Sequence, residues 1–331
     1  MKQFSIIIPV YNRPQEIKEL LESLVMQDYN NLFEVVVVED GSVKTAKNEI
    51  ECFQDKLSIT YLFKKNTGPG DSRNYGMQRA KGDFFIILDS DVILPKNYLR
   101  TVSKKIAENH LDAFGGTDDA HPSFTNTQKA INYAMTSFLT TGGLRNTEKK
   151  QDSFQLRSFN MGISKEVFQK TKGFSKQRYG EDIDLSNRIK KLGFKSKLLP
   201  QVKVYHKRRA DFEQFFRQTF NFGRARPILN KMHQNTSKIT YWFPTVFSFG
   251  LLFSIIFLVL GNPFFILIYL LYFIVILTDS YLKNKNIKLA IYSVYASLVQ
   301  FLGYGIGFFR SWVRLYLQHK SIRESFPEMF Q

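Results

Sequence analysis

Phe84-Phe85-Ile86-Ile87-Leu88-Asp89-Ser90-Asp91 is a short apolar run that ends abruptly in two carboxylates. The apolar part is rich in strand formers and has the length of a buried strand. Carboxylates directly after such a strand emerge at the carboxyl-terminal edge of a sheet, where open α/β sheets bind ligands. In an extended segment Asp89 and Asp91 point to the same side, so they can share one divalent cation. The ordinary alternative for an isolated Asp-x-Asp is a polar strand end or helix cap.

Outward from this strand, the N-terminal part of the sequence alternates between strand and helix patterns. The sequence predicts strands over 6–10, 34–39, 59–63 and 84–88, and helices over 16–27, 45–53 and 72–80. Later strands are predicted over 159–164 and 202–206. A βαβ series of this kind implies a parallel sheet covered by helices on both faces.

The charge distribution and the cysteine content indicate which kind of partner and which cellular compartment to expect. The chain has 331 residues and a formal net charge of +17, with 16 basic and 5 acidic residues from Lys203 onward. Because this basic part is also the most apolar, it favours an anionic membrane surface as partner over nucleic acid. Cys52 is the single cysteine, so no intramolecular disulfide can form and a cytoplasmic setting is expected. No secretory signal pattern precedes the strand at 6–10.

A charge-free stretch of forty residues runs over 239–278. One membrane span needs about twenty apolar residues, and Gly261-Asn262-Pro263 interrupts the stretch, so a transmembrane hairpin is predicted over 239–282. Both outer flanks are basic and should face the cytoplasm. These flanking residues are Lys231 and Lys238 before the hairpin, and Lys283, Lys285 and Lys288 after it.

A third apolar segment follows, and its relation to the membrane stays open. It lacks charges over 289–309 but contains serines and three glycines, and basic residues flank it on both sides. It can be re-entrant, interfacial or spanning. A third span would place one basic flank outside, whereas a re-entrant or interfacial helix would keep both flanks on the cytoplasmic side. The predicted domains are therefore 1–230, with an interfacial helix near 211–230, then the hairpin, then 287–331.

Four further polar motifs and one histidine accompany the Asp pair. Each motif stands at the end of a predicted strand or the start of a helix, where a loop contact, a turn or a helix cap is the ordinary alternative. The motifs are Ser5-Ile6-Ile7-Ile8-Pro9-Val10-Tyr11-Asn12-Arg13, Val35-Val36-Val37-Val38-Glu39-Asp40-Gly41-Ser42, Asn66-Thr67-Gly68-Pro69-Gly70-Asp71-Ser72-Arg73-Asn74-Tyr75-Gly76 and Tyr179-Gly180-Glu181-Asp182-Ile183-Asp184-Leu185. His206 closes the strand predicted over 202–206.

In this order the motifs resemble the family 2 glycosyltransferases, inverting enzymes with a GT-A fold, over about the first 230 residues. The resemblance implies an α/β nucleotide-diphospho-sugar transferase fold, which is a Rossmann-like mixed sheet with helices on both faces. Membrane helices would follow this fold toward the carboxyl terminus. The resemblance also implies transfer of a sugar from a nucleotide-diphosphate donor, expected to be a UDP-sugar, at the cytoplasmic face of the inner membrane, in the synthesis of a cell-envelope polysaccharide.

The resemblance also assigns the donor site. The implied nucleotide-binding residues are Pro9, Tyr11, Asn12, Arg13, Asp40, Arg73, Asp89 and Ser90. Tyr11 can offer a π face to a base at a strand end, and Glu39 stands where the family more often has an aspartate. The implied metal ligands are Asp89, Asp91 and His206, with Asp91 the main ligand and Mn²⁺ or Mg²⁺ the ion. An imidazole beside carboxylates suits Mn²⁺ better.

The acidic motif near residue 180 resembles the one that supplies the family's catalytic base. An inverting transfer needs a carboxylate to accept the proton of the acceptor hydroxyl, and Asp182 is expected to do so with Glu181 as its neighbour. A polyprenyl phosphate is already anionic near neutral pH, since its second pKa is about 6, and hardly needs a base. The motif therefore favours a hydroxyl on a lipid-linked sugar or glycan. A polyprenyl-phosphate glycosyltransferase and a non-catalytic, membrane-tethered nucleotide-sugar binding protein are the alternatives.

Overall fold

The computed structural model describes residues 2–142 and 154–329, which fall into two compact units. The first unit contains the described parts of Met1–His121, Asn146–Lys207 and Glu328–Gln331. The second contains those of Pro122–Arg145 and Arg208–Pro327. The predicted ranges 1–230, 239–282 and 287–331 stay a prediction about domains, since these compact units divide the sequence at other points.

One sheet forms the centre of the first unit. Its strands are β1 Phe4–Val10, β2 Phe33–Asp40, β3 Ser58–Lys64, β4 Phe84–Leu88, β5 Val92–Ile93, β6 Ala113–Asp119, β7 Asn160–Ser164 and β8 Ser196–His206. They lie in the order β3-β2-β1-β4-β7-β6-β8-β5. β1 to β4 pair in parallel, but β7 is antiparallel to β4 and β6, and β5 is antiparallel to β8. The parallel pairing predicted for the N-terminal βαβ series is confirmed for β1 to β4, and the mixed sheet implied by the family resemblance is confirmed as well.

The helices confirm the predicted βαβ alternation, with bounds shifted by a few residues. They are α1 Pro14–Val25, α2 Lys47–Glu51, α3 Pro69–Arg79, α4 Tyr98–Asn109, α5 Asn126–Thr136, α6 Phe138–Thr141, α7 Lys165–Thr171, α8 Glu181–Lys191, α9 Phe212–Met232, α10 Phe243–Val259, α11 Phe264–Asn284, α12 Ile287–Trp312 and α13 Ile322–Ser325. A π-helical turn, Val313–Leu317, continues α12.

Alternate residues of the central strands face opposite sides of the sheet and bury against different helices. Ile6 and Ile8 pack into one apolar cluster with side chains of α1 and α4, whereas Ile7 packs into another with Met77 of α3 and Leu185 of α8. Full burial of one aliphatic residue contributes about 1.5–3 kcal/mol. Burial on both faces fixes the strand register, because a slip of one residue would exchange the two faces.

Strand direction then determines which loops meet. β7 is antiparallel to both of its neighbours, so β6 runs parallel to β4, and β8 runs parallel to β6. The carboxyl ends of β1, β2, β4, β6 and β8 therefore lie along one edge of the sheet. This edge carries the residues that follow those strands.

The second unit is helical. α10 and α11 are antiparallel partners around Gly261-Asn262-Pro263, where Gly261 has φ +89°, and the predicted break is confirmed. Three described helical segments are long and apolar enough to cross a membrane: Ile239–Val259, Phe264–Asn284 and Ile287–Leu317. α12 also packs on α5 and α9 through a small apolar cluster that includes Ile131, Phe215 and Ala296.

Candidate active site

The carboxylate pair after β4 lies beside the histidine at the end of β8. One ligand atom from each of Asp89, Asp91 and His206 lies within 4.8 Å of the other two. Asp91 sits between two bases: its Oδ2 is 2.5 Å from Arg13 Nη1, and its Oδ1 is 3.2 Å from His206 Nε2. Two carboxylates and one imidazole form a donor set that suits Mn²⁺ or Mg²⁺. The predicted metal residues are thus brought together.

Asp118, at the end of β6, lies behind His206 in this candidate site, a position that the sequence did not predict. Its Oδ2 lies 3.6 Å from His206 Nδ1, and its side chain is buried. His206 is therefore held between two carboxylates, Asp91 at Nε2 and Asp118 at Nδ1, while the Phe159 ring lies 4.9 Å from the imidazole. A carboxylate behind a ligating histidine fixes the tautomer and the orientation of the ring. The available signal was the acidic pair Asp118-Asp119, had that segment been recognised as a strand.

Arg73 connects the Asp pair to the acidic motif. It lies in the first half of α3 and is buried, with Nη2 2.6 Å from Asp89 Oδ1 and Nη1 3.0 Å from Glu181 Oε1. A buried guanidinium needs such partners, since removing one leaves an uncompensated charge that costs about 3–5 kcal/mol. One arginine thus fixes the spacing between the strand-end carboxylates and the start of α8.

Glu181 and Asp182 open α8 but have different surroundings. The Glu181 side chain is 9% exposed and pairs with Arg73, and burial together with the neighbouring charge of Asp182 raises its pKa to about 7. The Asp182 side chain is 14% exposed and accepts from the backbone N–H of Ile183 at 2.8 Å and of Ser158 at 3.4 Å. Successive helical residues point about 100° apart, so the two carboxylates point in different directions and only that of Glu181 is paired with Arg73.

The loop after β2 is held by its own acidic residues. Asp40 accepts from the backbone N–H of Thr67 at 3.0 Å and of Gly68 at 2.9 Å, and Lys64 Nζ lies 2.6 Å from it. Glu39 is fully buried and accepts from the backbone N–H of Ala46 at 2.8 Å. The glutamate found in place of the usual aspartate therefore anchors this loop. The expected contact between Asp40 and a nucleotide base stays a prediction, and Lys64 is a second residue that the sequence reasoning missed.

The loop after β1 leaves one aromatic ring free. Tyr11 is 51% exposed, next to Asn12, which has φ +54° and accepts from the backbone N–H groups of Val43 and Lys44. The Asn12 side chain thus joins the loops after β1 and β2 and fixes the backbone that carries Tyr11. Of the other predicted donor residues, Pro9 is half-buried within β1 and Ser90 is buried between the two aspartates.

A mixed sheet of this order, with carboxylates and a histidine at its carboxyl edge, defines a GT-A fold. The chain belongs to the glycosyl transferase family 2, whose family model matches residues 5–171, about half of the sequence. A solved structure of the mannosyltransferase PcManGT from Pyrobaculum calidifontis, in complex with GDP-Man and Mn²⁺, is similar in fold. Its TM-score is 0.58 at 16% identity over 93% of this chain and 87% of that chain.

Two curated relatives match a shorter part. The poly(ribitol-phosphate) beta-N-acetylglucosaminyltransferase TarS of Staphylococcus aureus is 38% identical over 115 residues, which are 34% of this chain and 20% of TarS. The glycosyltransferase GlyA of Streptococcus pneumoniae is 32% identical over 111 residues, which are 33% of this chain and 16% of GlyA. The match thus spans a fifth or less of these two relatives.

Proposed function

We propose that the protein transfers a sugar from a nucleotide-diphosphate donor to a hydroxyl acceptor, with inversion, at the cytoplasmic face of a membrane. The observation that carries this proposal is the double ion pair of Arg73. It links Asp89, in the group suited to a divalent cation, to Glu181, in the acidic motif, at 2.6 and 3.0 Å. Donor-binding and proton-accepting groups therefore belong to one rigid site, as a direct displacement requires.

Asp182 is the proposed base. It accepts the proton of the acceptor hydroxyl while that oxygen attacks the sugar carbon on the face opposite the leaving diphosphate. Its side chain is 14% exposed, and its Oδ2 makes only long contacts in the described part of the protein, with the Ser158 N–H at 3.4 Å and Arg157 Nη1 at 4.0 Å, so that oxygen is available to an acceptor. Glu181 is buried against Arg73 and is therefore proposed as the positioning residue.

Asp89, Asp91 and His206 are the proposed ligands of a divalent cation, Mn²⁺ or Mg²⁺. A bound cation would supply Lewis-acid stabilisation of the charge on the departing diphosphate. Arg13 already contacts Asp91 at 2.5 Å and so adds a second positive group on the same side. Tyr11 is proposed to stack on the nucleotide base, because its exposed ring lies at the same edge of the sheet.

A hydroxyl acceptor is supported by the accessible Asp182 and by the name of TarS, which denotes transfer to poly(ribitol-phosphate). The apolar helices α10 and α11 support membrane attachment, and this favours a lipid-linked sugar or a membrane-bound glycan precursor. A UDP-sugar is the donor we propose.

The test offers UDP-, GDP- and dTDP-sugars to the detergent-solubilised protein with Mn²⁺ or Mg²⁺ and a lipid extract. Nucleotide release and product mass are the readouts. Asp182→Asn should bind donor normally but lose transfer by about 10²–10⁴-fold. Glu166→Gln, at the exposed first turn of α7, is the matched control and should retain activity.

Three outcomes would contradict parts of the proposal. Full transfer by Asp182→Asn would remove the base role and favour a phosphate acceptor such as a polyprenyl phosphate. Donor binding without consumption, with every acceptor tried, would indicate a nucleotide-sugar binding protein. Unchanged transfer after complete chelation would exclude the metal.

A further inference from the structure

α12 is long and apolar enough to cross a membrane, yet both of its ends lie at the same end of the α10–α11 hairpin. Near its start, Ser293 accepts from Ser280 Oγ at 2.8 Å, within the last turns of α11. Near its end, the Trp312 ring lies 5.0 Å from the ring of Trp242, which directly precedes α10. A 26-residue helix is about 39 Å long. If it ran beside α11, its end would reach the turn at Gly261.

The middle of α12 also stays at this end of the hairpin, which we call the foot. The Phe301 ring lies 4.6 Å from that of Phe247, and Thr245 Oγ1 donates to the Gly305 carbonyl at 3.1 Å. Farther from the foot, α10 and α11 contact each other, as between Phe253 and Phe265 at 5.3 Å. In the described part of the protein, α12 thus crosses the hairpin obliquely: it contacts α10 as far as Phe249 and α11 as far as Tyr272, while its two ends stay at the foot.

A charged helix accompanies α12 over most of its length. The Phe212 ring lies 4.7 Å from that of Tyr295 at one end of α9, and Lys231 Nζ donates to the Leu315 carbonyl at 3.2 Å at the other. Between these points the backbones are so close that a Cβ at Gly307 would lie 2.2 Å from the Phe220 carbonyl oxygen. The two helices therefore run side by side and must lie at similar depth in any membrane.

α9 cannot lie inside the hydrocarbon. Its charged residues are Glu213, Arg217, Arg224, Arg226 and Lys231. Glu213 and Arg217 pair on an exposed face. An arginine or lysine at the centre of a spanning helix costs about 2.5–3.5 kcal/mol even on the lowest scale, so several together exclude a span. Since α12 shares the depth of α9, it cannot span either.

We propose that α12 does not cross the membrane, and that α9 and α12 form a layer in its cytoplasmic interface. One apolar stripe of α12 stays partly exposed, and it would face the acyl chains; it includes Ile291, Tyr295, Ile306 and Phe309. Exposed basic side chains lie near both ends of α12 and beyond its end, and they fit anionic lipid headgroups. They are Lys283, Lys285, Lys288, Arg310, Lys320 and Arg323. The inference holds whether or not the protein transfers a sugar.

The experiment uses three single-cysteine versions of the full-length protein in a Cys52→Ser background. Lys288→Cys marks the start of α12, Gln318→Cys lies beyond its end, and Asn262→Cys marks the hairpin turn; all three positions are exposed. A membrane-impermeant maleimide is applied to right-side-out and to inside-out vesicles. The proposal expects Lys288→Cys and Gln318→Cys to react in inside-out vesicles and Asn262→Cys in right-side-out ones. Reaction of Gln318→Cys from the same side as Asn262→Cys would overturn it.

A depth measurement keeps the proposal testable if one of these variants folds poorly. Nitroxide labels at Leu302→Cys, near the middle of α12, and at Leu252→Cys, near the middle of α10, are compared by oxygen and nickel accessibility. The in-plane layer predicts that Leu302→Cys lies closer to the headgroups than Leu252→Cys. Equal depth of the two labels near the bilayer centre would contradict it.

Discussion

Replacing Asp118 by asparagine should weaken Mn²⁺ binding while leaving the fold intact. The carboxylate lies 3.6 Å from His206 Nδ1 and attracts the proton of that nitrogen. With the proton on Nδ1, the lone pair of Nε2 is directed toward Asp91, 3.2 Å away, where the cation is expected. Asparagine has nearly the same size but no charge, so it removes this preference without leaving a cavity.

The expected loss follows from the distance. Two full charges 3.6 Å apart interact by about 5 kcal/mol at an effective dielectric constant of 20. A neutral imidazole presents only the partial charge of its N–H group, roughly a third of a full charge. The substitution should therefore cost about 1–2 kcal/mol of metal-binding free energy. That range corresponds to roughly a 5- to 30-fold weaker affinity, since about 1.4 kcal/mol is tenfold. The effect of removing such partners from metal sites is typically 10- to 100-fold.

The assay titrates Mn²⁺ into the detergent-solubilised full-length protein, by calorimetry or by the spin resonance of free Mn²⁺. Asp119→Asn is the matched control, because Asp119 is adjacent but half-exposed and pairs with Lys203 at 3.2 Å. Its affinity should stay within about twofold of the natural protein. Nucleotide release by Asp118→Asn should return toward the normal rate at saturating Mn²⁺. An unchanged affinity in Asp118→Asn, or the same loss in both variants, would refute the positioning role.

Two further predictions concern single side chains of the site. Tyr11→Ala should weaken donor binding by roughly 5- to 100-fold, since stacking on a base contributes about 1–3 kcal/mol; Tyr11→Phe should retain it, and equal binding by both variants in a nucleotide titration would exclude stacking. Burial raises the pKa of Glu181 from 4.5 to about 7, so protonated Glu181 favours the folded state below pH 4.5, and this stability is lost as pH rises through 7. The difference in unfolding free energy between the natural protein and Glu181→Gln should change by on the order of 3 kcal/mol in total over that window. Melting temperatures of the two proteins measure this, and a constant difference from pH 4.5 to 8 would contradict the raised pKa.

Strands β1 to β4 could be predicted because they are continuous apolar runs that alternate with helical patterns, and β7 and the end of β8 were predicted as well. β6 was missed because Gly115-Gly116-Thr117-Asp118-Asp119 has the composition of a loop. The structure explains these glycines by contacts with distant segments. A Cβ at Gly116 would lie 2.2 Å from Asn160 Nδ2, and one at Gly115 would lie 2.7 Å from the Phe154 ring. The local sequence pattern does not show that these glycines must leave room for side chains from distant segments.

The candidate site likewise depends on contacts between residues that are distant in the sequence. Its main residues could be named from the sequence, since each follows a strand or opens a helix, but their pairing could not. Arg73 is 16 residues from Asp89 and 108 residues from Glu181, and it contacts both. Such a contact depends on the placement of α3 and α8 against the sheet. The third apolar segment repeats this pattern, because the composition of 287–331 allowed three arrangements, and our proposal for α12 rests on its contacts with α9, which the sequence does not reveal.

The two acids of the Glu181-Asp182 motif gain distinct roles only from the fold. The sequence offers neighbouring carboxylates of similar chemistry, and either can serve as a base. In the structure Arg73 binds Glu181 at 3.0 Å, so a proton taken up by Glu181 would weaken a buried ion pair. Asp182, one position on, is turned about 100° around the helix and lies 4.0 Å from Arg157 Nη1. The proposed choice of base therefore rests on which side chain the helix turns away from Arg73.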